Sequence, residues 1–459
     1  MSEFDRVIKG GTVATADWVG STDIGIKDGR IAALGEGLES DDVVDATDRI
    51  VTPGGIDSHA HVEQRGAGGA VNVDSFATGT ASAAAGGTTT LVCFALQERG
   101  RSMTDALRDY AALAEKGARV DYAFHLLVTD PHQDLLAELP ALIAAGNRSI
   151  KIFTTYPDSK LEDEQVLAVF ALAAKEGALV CVHAEHDRMI AWQIERLLKA
   201  GKTAPRYHAE ARPMLAEAEA VHRVCAMAEL TGARIQIFHL SGADSTAEIE
   251  RAQARGVSVA AETCTHYLTL TRDDLDRPGF EGAKFICSPP LRTVADQEAL
   301  WRYMRRGVIA NVTSDHSPND YDSPVGKMIH GPEAPFTLVP NGVPGLAARM
   351  PVLFAEGVGK GRISLEQFVA LTSTNSARLF GLHPRKGTIA PGADADLVLW
   401  DPERQVTLTN ALMQHAGDYT PYEGMTIKGW PTTTLLRGQI IMQDDKILGG
   451  PGSGVFLRR

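Results

Sequence analysis

Eight apolar, strand-like runs recur through the middle of this 459-residue chain, separated by Ala-, Leu- and Glu-rich stretches. The runs are Gly55–His61, Thr88–Leu96, Asp121–Thr129, Ser149–Tyr156, Leu179–Glu185, Arg234–Ser241, Val257–Leu268 and Val308–His316. Between several of them the spacing predicts helices, as at Met103–Glu115, Glu162–Lys175 and Thr246–Ala254. Strand and helix in serial alternation predict an α/β fold, a TIM-type (β/α)8 barrel whose parallel strands are covered by the helices. The chain is too long for one ordinary compact domain unless a large barrel takes most of it.

Both ends read differently. Ile24-Gly25-Ile26-Lys27-Asp28-Gly29-Arg30-Ile31 alternates around Asp-Gly, a hairpin signal. Asp396–Trp400 and Thr434–Ile441 are again short strand-like runs. One small β-domain assembled from both termini is expected, with parts at 1–53 and 386–459 flanking a barrel at 54–385. The net charge of −13 argues against nucleic acid or an anionic membrane as partner. Met1-Ser2-Glu3-Phe4-Asp5-Arg6 does not open a secretion signal, and no apolar run reaches the length of a bilayer span. The five scattered cysteines read as reduced core residues, so a cytoplasmic location is expected.

Chemistry enters with Asp57-Ser58-His59-Ala60-His61. In an extended strand residues i and i+2 share a side, so His59 and His61 project together as a pair of imidazole ligands for zinc or a similar ion. Further polar residues stand at or near the C-terminal ends of other predicted strands: Lys151, His183, His239 and Asp315. Singly, each histidine reads as a hydrogen-bonded core residue and Asp315 as a turn residue. A barrel brings all of them to one mouth, where they form a metal site. Lys151 stands among isoleucines and a phenylalanine. Desolvation lowers a lysine pKa, and the neutral amine can add carbon dioxide to become a carbamate, an anionic bridge between two metal ions. Four imidazoles and one carboxylate would otherwise leave two dications poorly neutralised.

At this point the chain resembles the amidohydrolase superfamily, in its hydantoinase/dihydropyrimidinase branch. The resemblance runs nearly end to end, through Asp57-Ser58-His59-Ala60-His61, Gly86-Gly87-Thr88-Thr89-Thr90, Lys151–Tyr156, Val182-His183-Ala184-Glu185, Ser288-Pro289-Pro290-Leu291-Arg292, Pro340–Gly345 and Lys386–Asp396. It implies a barrel plus a β-sandwich, commonly in a homotetramer, acting on a small cyclic amide. It implies two divalent ions, zinc above all, with His59, His61 and Asp315 on one, His183 and His239 on the other, and carbamylated Lys151 between them. A hydroxide bridging the metals would attack the ring carbonyl, Asp315 would carry its proton to the leaving nitrogen, and the Tyr156 phenol would donate to the oxyanion. Main-chain groups at Ser288 and Asn341 would hold the amide edge of the ring.

Two departures bear on substrate. After His61 the usual apolar loop is replaced by Val62-Glu63-Gln64-Arg65-Gly66-Ala67-Gly68-Gly69, where Gln64 and Arg65 offer hydrogen bonds and a positive charge; Arg65 reads either as a solvated rim arginine or as a partner for a polar or anionic substituent. Asp315 is followed by His316-Ser317-Pro318, as in allantoinase and dihydroorotase relatives, which keeps an allantoinase or cyclic-imide hydrolase as an alternative. A non-catalytic scaffold on the same fold would have lost the ligands, and all six positions are filled here. The glycine-rich pieces lack the spaced fingerprint of a nucleotide-cofactor enzyme.

Overall fold

The structure is a computed structural model that describes residues 3–64 and 71–459. Its centre is an eight-stranded parallel sheet in sequential order. The strands are β1 (Gly55–Ala60), β2 (Thr88–Leu96), β3 (Asp121–Leu127), β4 (Ser149–Phe153), β5 (Leu179–His183), β6 (Arg234–Ile237), β7 (Val259–Cys264) and β8 (Asn311–Thr313). A parallel bridge between Ala60 and His316 draws the first strand to the last and closes the barrel. The strands are buried almost throughout, because the barrel interior covers one face and the helices outside cover the other. Inside, polar side chains satisfy one another: Gln236 donates to Asn311 Oδ1 at 2.7 Å, and Asn311 donates to Ser58 Oγ at 3.1 Å. The buried Arg349 guanidinium donates to the carbonyl of Val312 at 3.0 Å and to Thr88 Oγ1 at 2.9 Å, tying the closing strands together.

Strands from both chain ends form two further sheets. Ile50–Pro53 pairs antiparallel with Leu397–Thr407, so the N- and C-terminal segments share one sheet of seven strands. A four-stranded sheet packs against it through Ile8, Ile24, Ile26 and Ile31 on one side and Val13, Val51, Leu397 and Leu435 on the other. This is the expected sandwich. The Asp28-Gly29 turn is present, with φ of 50° and 74°, between strands paired at Lys27 and Arg30. All five cysteines are buried and free. No helix among the described residues is long and apolar enough to cross a membrane.

The expected runs overshoot the strands at their C-terminal ends. β4 stops at Phe153, β6 at Ile237 and β8 at Thr313, and Thr265–Thr269 is helical where a strand was expected to continue to Leu268. The backbone there turns instead of extending, because the ends of the strands must open into loops that surround a cavity.

Candidate active site at the barrel mouth

Three strand ends turn through the left-handed region at residues with side chains: Tyr156 (φ 75°), His239 (φ 43°) and Asp315 (φ 45°). Glycine takes this conformation freely, whereas each other residue costs about 1–3 kcal/mol. At these three residues the turned backbone aims the side chains at a common point. All of the residues singled out above for the site, His59, His61, Lys151, Tyr156, His183, His239, Ser288, Asp315 and Asn341, line one small hollow at the C-terminal face of the barrel.

His59 Nε2 lies 3.0 Å and His61 Nε2 3.5 Å from Asp315 Oδ1. One ligand atom from each of His59, His61 and Asp315 falls within a 4.8 Å cluster, compact enough for a single cation. The tautomer of each imidazole follows from its outer partner. His59 Nδ1 is 2.6 Å from buried Glu262 Oε1, so Nδ1–H donates outward and Nε2 faces the site. His61 Nδ1 is 2.8 Å from Gln64 Oε1, and the Gln64 amide is oriented by its Nε2 donating to the Phe94 carbonyl. His183 Nε2 is 2.8 Å from Glu185 Oε2, which leaves Nδ1 for the site. Glu185 in turn accepts from the Arg212 guanidinium at 2.5 Å. His239 stacks edge-on to His183 with ring centroids 4.4 Å apart, and among the described residues its buried Nδ1 has no hydrogen-bond partner.

Charge in the hollow is set by burial and by these partners. Burial alone would push His59 down, but the Asp315 and Glu262 carboxylates on either side raise it to about 9. The same negative field favours a dication at Nε2. Burial lowers His183 to about 4 and lowers His239 well below the usual imidazole range, so both are neutral and have lone pairs to offer. Asp315 is held well below the usual carboxylate range: burial opposes this, and His59 and His61 outweigh it. Burial pushes the Tyr156 phenol up to about 12, against the pull of Arg212, whose guanidinium lies 5.1 Å from the ring centroid.

Lys151 is fully buried, and among the described residues its Nζ has no hydrogen-bond partner. Its amine stands 4.2 Å from the Phe238 ring centroid and 5.0 Å from that of Phe153. Burial pulls it down to about 8, which brings the neutral amine within reach near neutral pH. A buried, unpaired lysine facing imidazoles and a carboxylate fits the donor set of a two-metal centre, in which a carbamate would satisfy it.

A wider cavity of about 380 Å³ continues from the hollow past His61, Phe153 and Tyr156 to Leu338 and Asn72. A more open hollow of about 540 Å³ lies at the other end of the barrel beside Arg234 and Asn375 and holds none of these residues. Gln64 lines the cavity of about 380 Å³, and both ends of its amide are engaged, by His61 and Phe94. Arg65 lies outside the described residues. The His316 ring is bound on one side by Asp74 at 2.9 Å and on the other by the Gly345 N–H at 3.1 Å, which makes it part of the frame. Glu262, Glu185 and Arg212 were not singled out from the sequence. A lone carboxylate inside the run Val259–Cys264 is the same kind of signal as Lys151 and could have identified Glu262.

Comparison with known proteins agrees over the whole length. The profile of the amidohydrolase family matches residues 50–441. The chain is 44% identical to the D-hydantoinase of Rhizobium radiobacter over 99% of both chains. It is 42% identical to the D-hydantoinase of Geobacillus stearothermophilus over 99% of this chain and 96% of that one. The crystal structure of dihydropyrimidinase from Brevibacillus agri superposes with a TM-score of 0.96 at 40% identity, covering 99% of this chain and 98% of that one.

Proposed function

The chain belongs to the amidohydrolase family, among the hydantoinases and dihydropyrimidinases, and we propose that it opens the ring C–N bond of a cyclic amide of hydantoin or dihydropyrimidine type. The observation that carries this is the convergence of His59, His61, His183, His239, Lys151 and Asp315 on one hollow, with Tyr156, Ser288 and Asn341 at its rim. His59, His61 and Asp315 would hold one divalent ion, His183 and His239 a second, and Lys151, as its carbamate, would lie between them; imidazole and carboxylate donors suit zinc. When bound, such ions make water a nucleophile at neutral pH and polarise the carbonyl.

The protein side chains do the rest. Asp315 is ionised and sits between His59 and His61, placed to take a proton from the attacking water and return it to the departing ring nitrogen. The high pKa of Tyr156 keeps the phenol protonated, so it can donate to the oxyanion as the carbonyl carbon becomes tetrahedral. Ser288 and Asn341, joined by a 2.9 Å hydrogen bond from Ser288 Oγ to Asn341 Oδ1, present main-chain groups to the amide edge. One water is consumed: its oxygen bonds to the carbonyl carbon, the C–N bond breaks, and the nitrogen leaves protonated.

The 380 Å³ cavity leaves room for a ring substituent, which fits 5-substituted hydantoins. The D form is expected, since the relatives at 44% and 42% identity are named D-hydantoinases. His316 belongs to the frame and gives no preference for allantoin. A homotetramer is the assembly implied by resemblance, to be measured by light scattering. The decisive experiment loads the purified protein with zinc and screens hydantoins, dihydropyrimidines, allantoin and cyclic imides. About two ions per chain with turnover of a hydantoin or dihydropyrimidine is expected. Absence of bound metal and of turnover on the whole panel would overturn the reading in favour of a scaffold.

A further inference from the structure

Lys327 has no part in the chemistry above, yet it is fully buried. Its Nζ donates to the carbonyls of Pro340 and Gly342, each at 2.7 Å, and of Ile286 at 3.0 Å. Among the described residues no carboxylate pairs with it. An ammonium has three N–H donors, and three carbonyls take all of them. Burying a cation without a counter-charge is costly unless dipoles satisfy it, so this arrangement serves some purpose beyond filling space. Burial works against the charged form, and the three carbonyl dipoles favour it.

The three acceptors belong to the two segments that carry the proposed amide-edge groups. Ile286 precedes Ser288 by two residues, and Pro340 and Gly342 flank Asn341. The Gly342 N–H also donates to the Ile286 carbonyl at 3.0 Å. The turn that delivers the lysine is tight: Lys327 N–H donates to the Asp320 carbonyl at 2.7 Å, and a Cβ on Gly326 would meet that same oxygen at 2.1 Å.

We propose that Lys327 is a positioning residue for substrate binding, its ammonium clamping segments 286–288 and 340–342 in the register at which Ser288 and Asn341 meet the ring. This rests on the function proposed above. The clamp acts at the amide edge, which every ring presents, and none of its three acceptors belongs to a metal donor, although Pro340 also borders the wider cavity. Its loss therefore weakens binding of every ring alike and leaves the metal centre intact.

The test is Lys327→Met in the zinc-loaded enzyme, with hydantoin and 5-phenylhydantoin as substrates. KM should rise about tenfold for both, the worth of one or two weakened main-chain hydrogen bonds, with kcat changed less and zinc content unchanged. Hydrogen exchange should accelerate in the peptides spanning 286–288 and 340–342. Gly326→Ala, which displaces the lysine without removing it, should move KM in the same direction. Unchanged KM and unchanged exchange in a folded Lys327→Met enzyme overturn the clamp. If Lys327→Met does not fold, Gly326→Ala decides; loss of fold in both makes Lys327 a structural lock and overturns the positioning role. If the wild type turns over no cyclic amide, the functional reading fails, while faster exchange in the variant still supports the clamp.

Discussion

Glu262→Gln removes one charge and almost no shape from beneath the metal site. In the structure Glu262 Oε1 lies 2.6 Å from His59 Nδ1 and 3.3 Å from the His239 backbone nitrogen, with the carboxylate buried. Burial pushes the Glu262 carboxyl above its usual range and His59 pulls it back, while His59 itself is raised to about 9, so the proton rests on the imidazole. Glutamine can still accept from Nδ1–H through its own oxygen, so the ring stays oriented with Nε2 toward Asp315. What is lost is the charge assistance. A hydrogen bond to a charged group is worth about 1.5–3 kcal/mol and a neutral one about 0.5–1.5, a difference near 1–1.5 kcal/mol. That converts to a fall of about five- to twelvefold in metal affinity, at the lower end of the about 10–100-fold effects of removing groups behind metal-bound histidines. Glu262→Ala, which strands Nδ1–H in a buried site, should cost a further ~1–3 kcal/mol. The assay is zinc binding measured in chelator buffers, read as ions per chain, with kcat taken separately at saturating zinc. Wild-type zinc affinity in Glu262→Gln would refute the claim that this carboxylate tunes His59.

Lys151→Ala should lose metal and activity together, and short carboxylic acids supplied with zinc should restore part of both; full zinc occupancy with an unchanged rate would remove the carbamate from the mechanism. Tyr156→Phe should lower kcat by about 2–4 kcal/mol of transition-state stabilisation while zinc content stays constant, since it removes only an oxyanion donor. Glu185 has a folded pKa of about 2 against an ordinary 4.5, because Arg212 and His183 overcome its burial. A carboxylate depressed in this way contributes stability that is complete above pH ~4.5 and is lost as pH falls toward ~2. Urea unfolding across that range should therefore show a steep acid limb in the wild type and a flatter one in Glu185→Gln, and parallel limbs would count against the Glu185–Arg212 pair as a stabilising contact.

The sequence alone determined much of this protein. Serial alternation of strand and helix is a local signal that specifies a parallel sheet covered by helices, and eight such units in series are the pattern of a barrel; the closure itself is a tertiary feature. The residues that stand out chemically, His59, His61, Lys151, His183, His239 and Asp315, could be read because each is a polar interruption at or near the end of an apolar run. Only the tertiary structure decided how they are held. Glu262 meets His59 across 203 residues of sequence, and Lys327 joins carbonyls 41 and 15 positions away. Such partners depend on the register between strands and on where loops fold back, which local patterning does not encode. Left-handed turns at Tyr156, His239 and Asp315 were likewise not legible: Asp and His take positive φ more often than most residues, but too seldom for identity alone to place a turn, and nothing in Tyr156 favours one. The surrounding barrel imposes that backbone, and with it the convergence that makes separate side chains into one site.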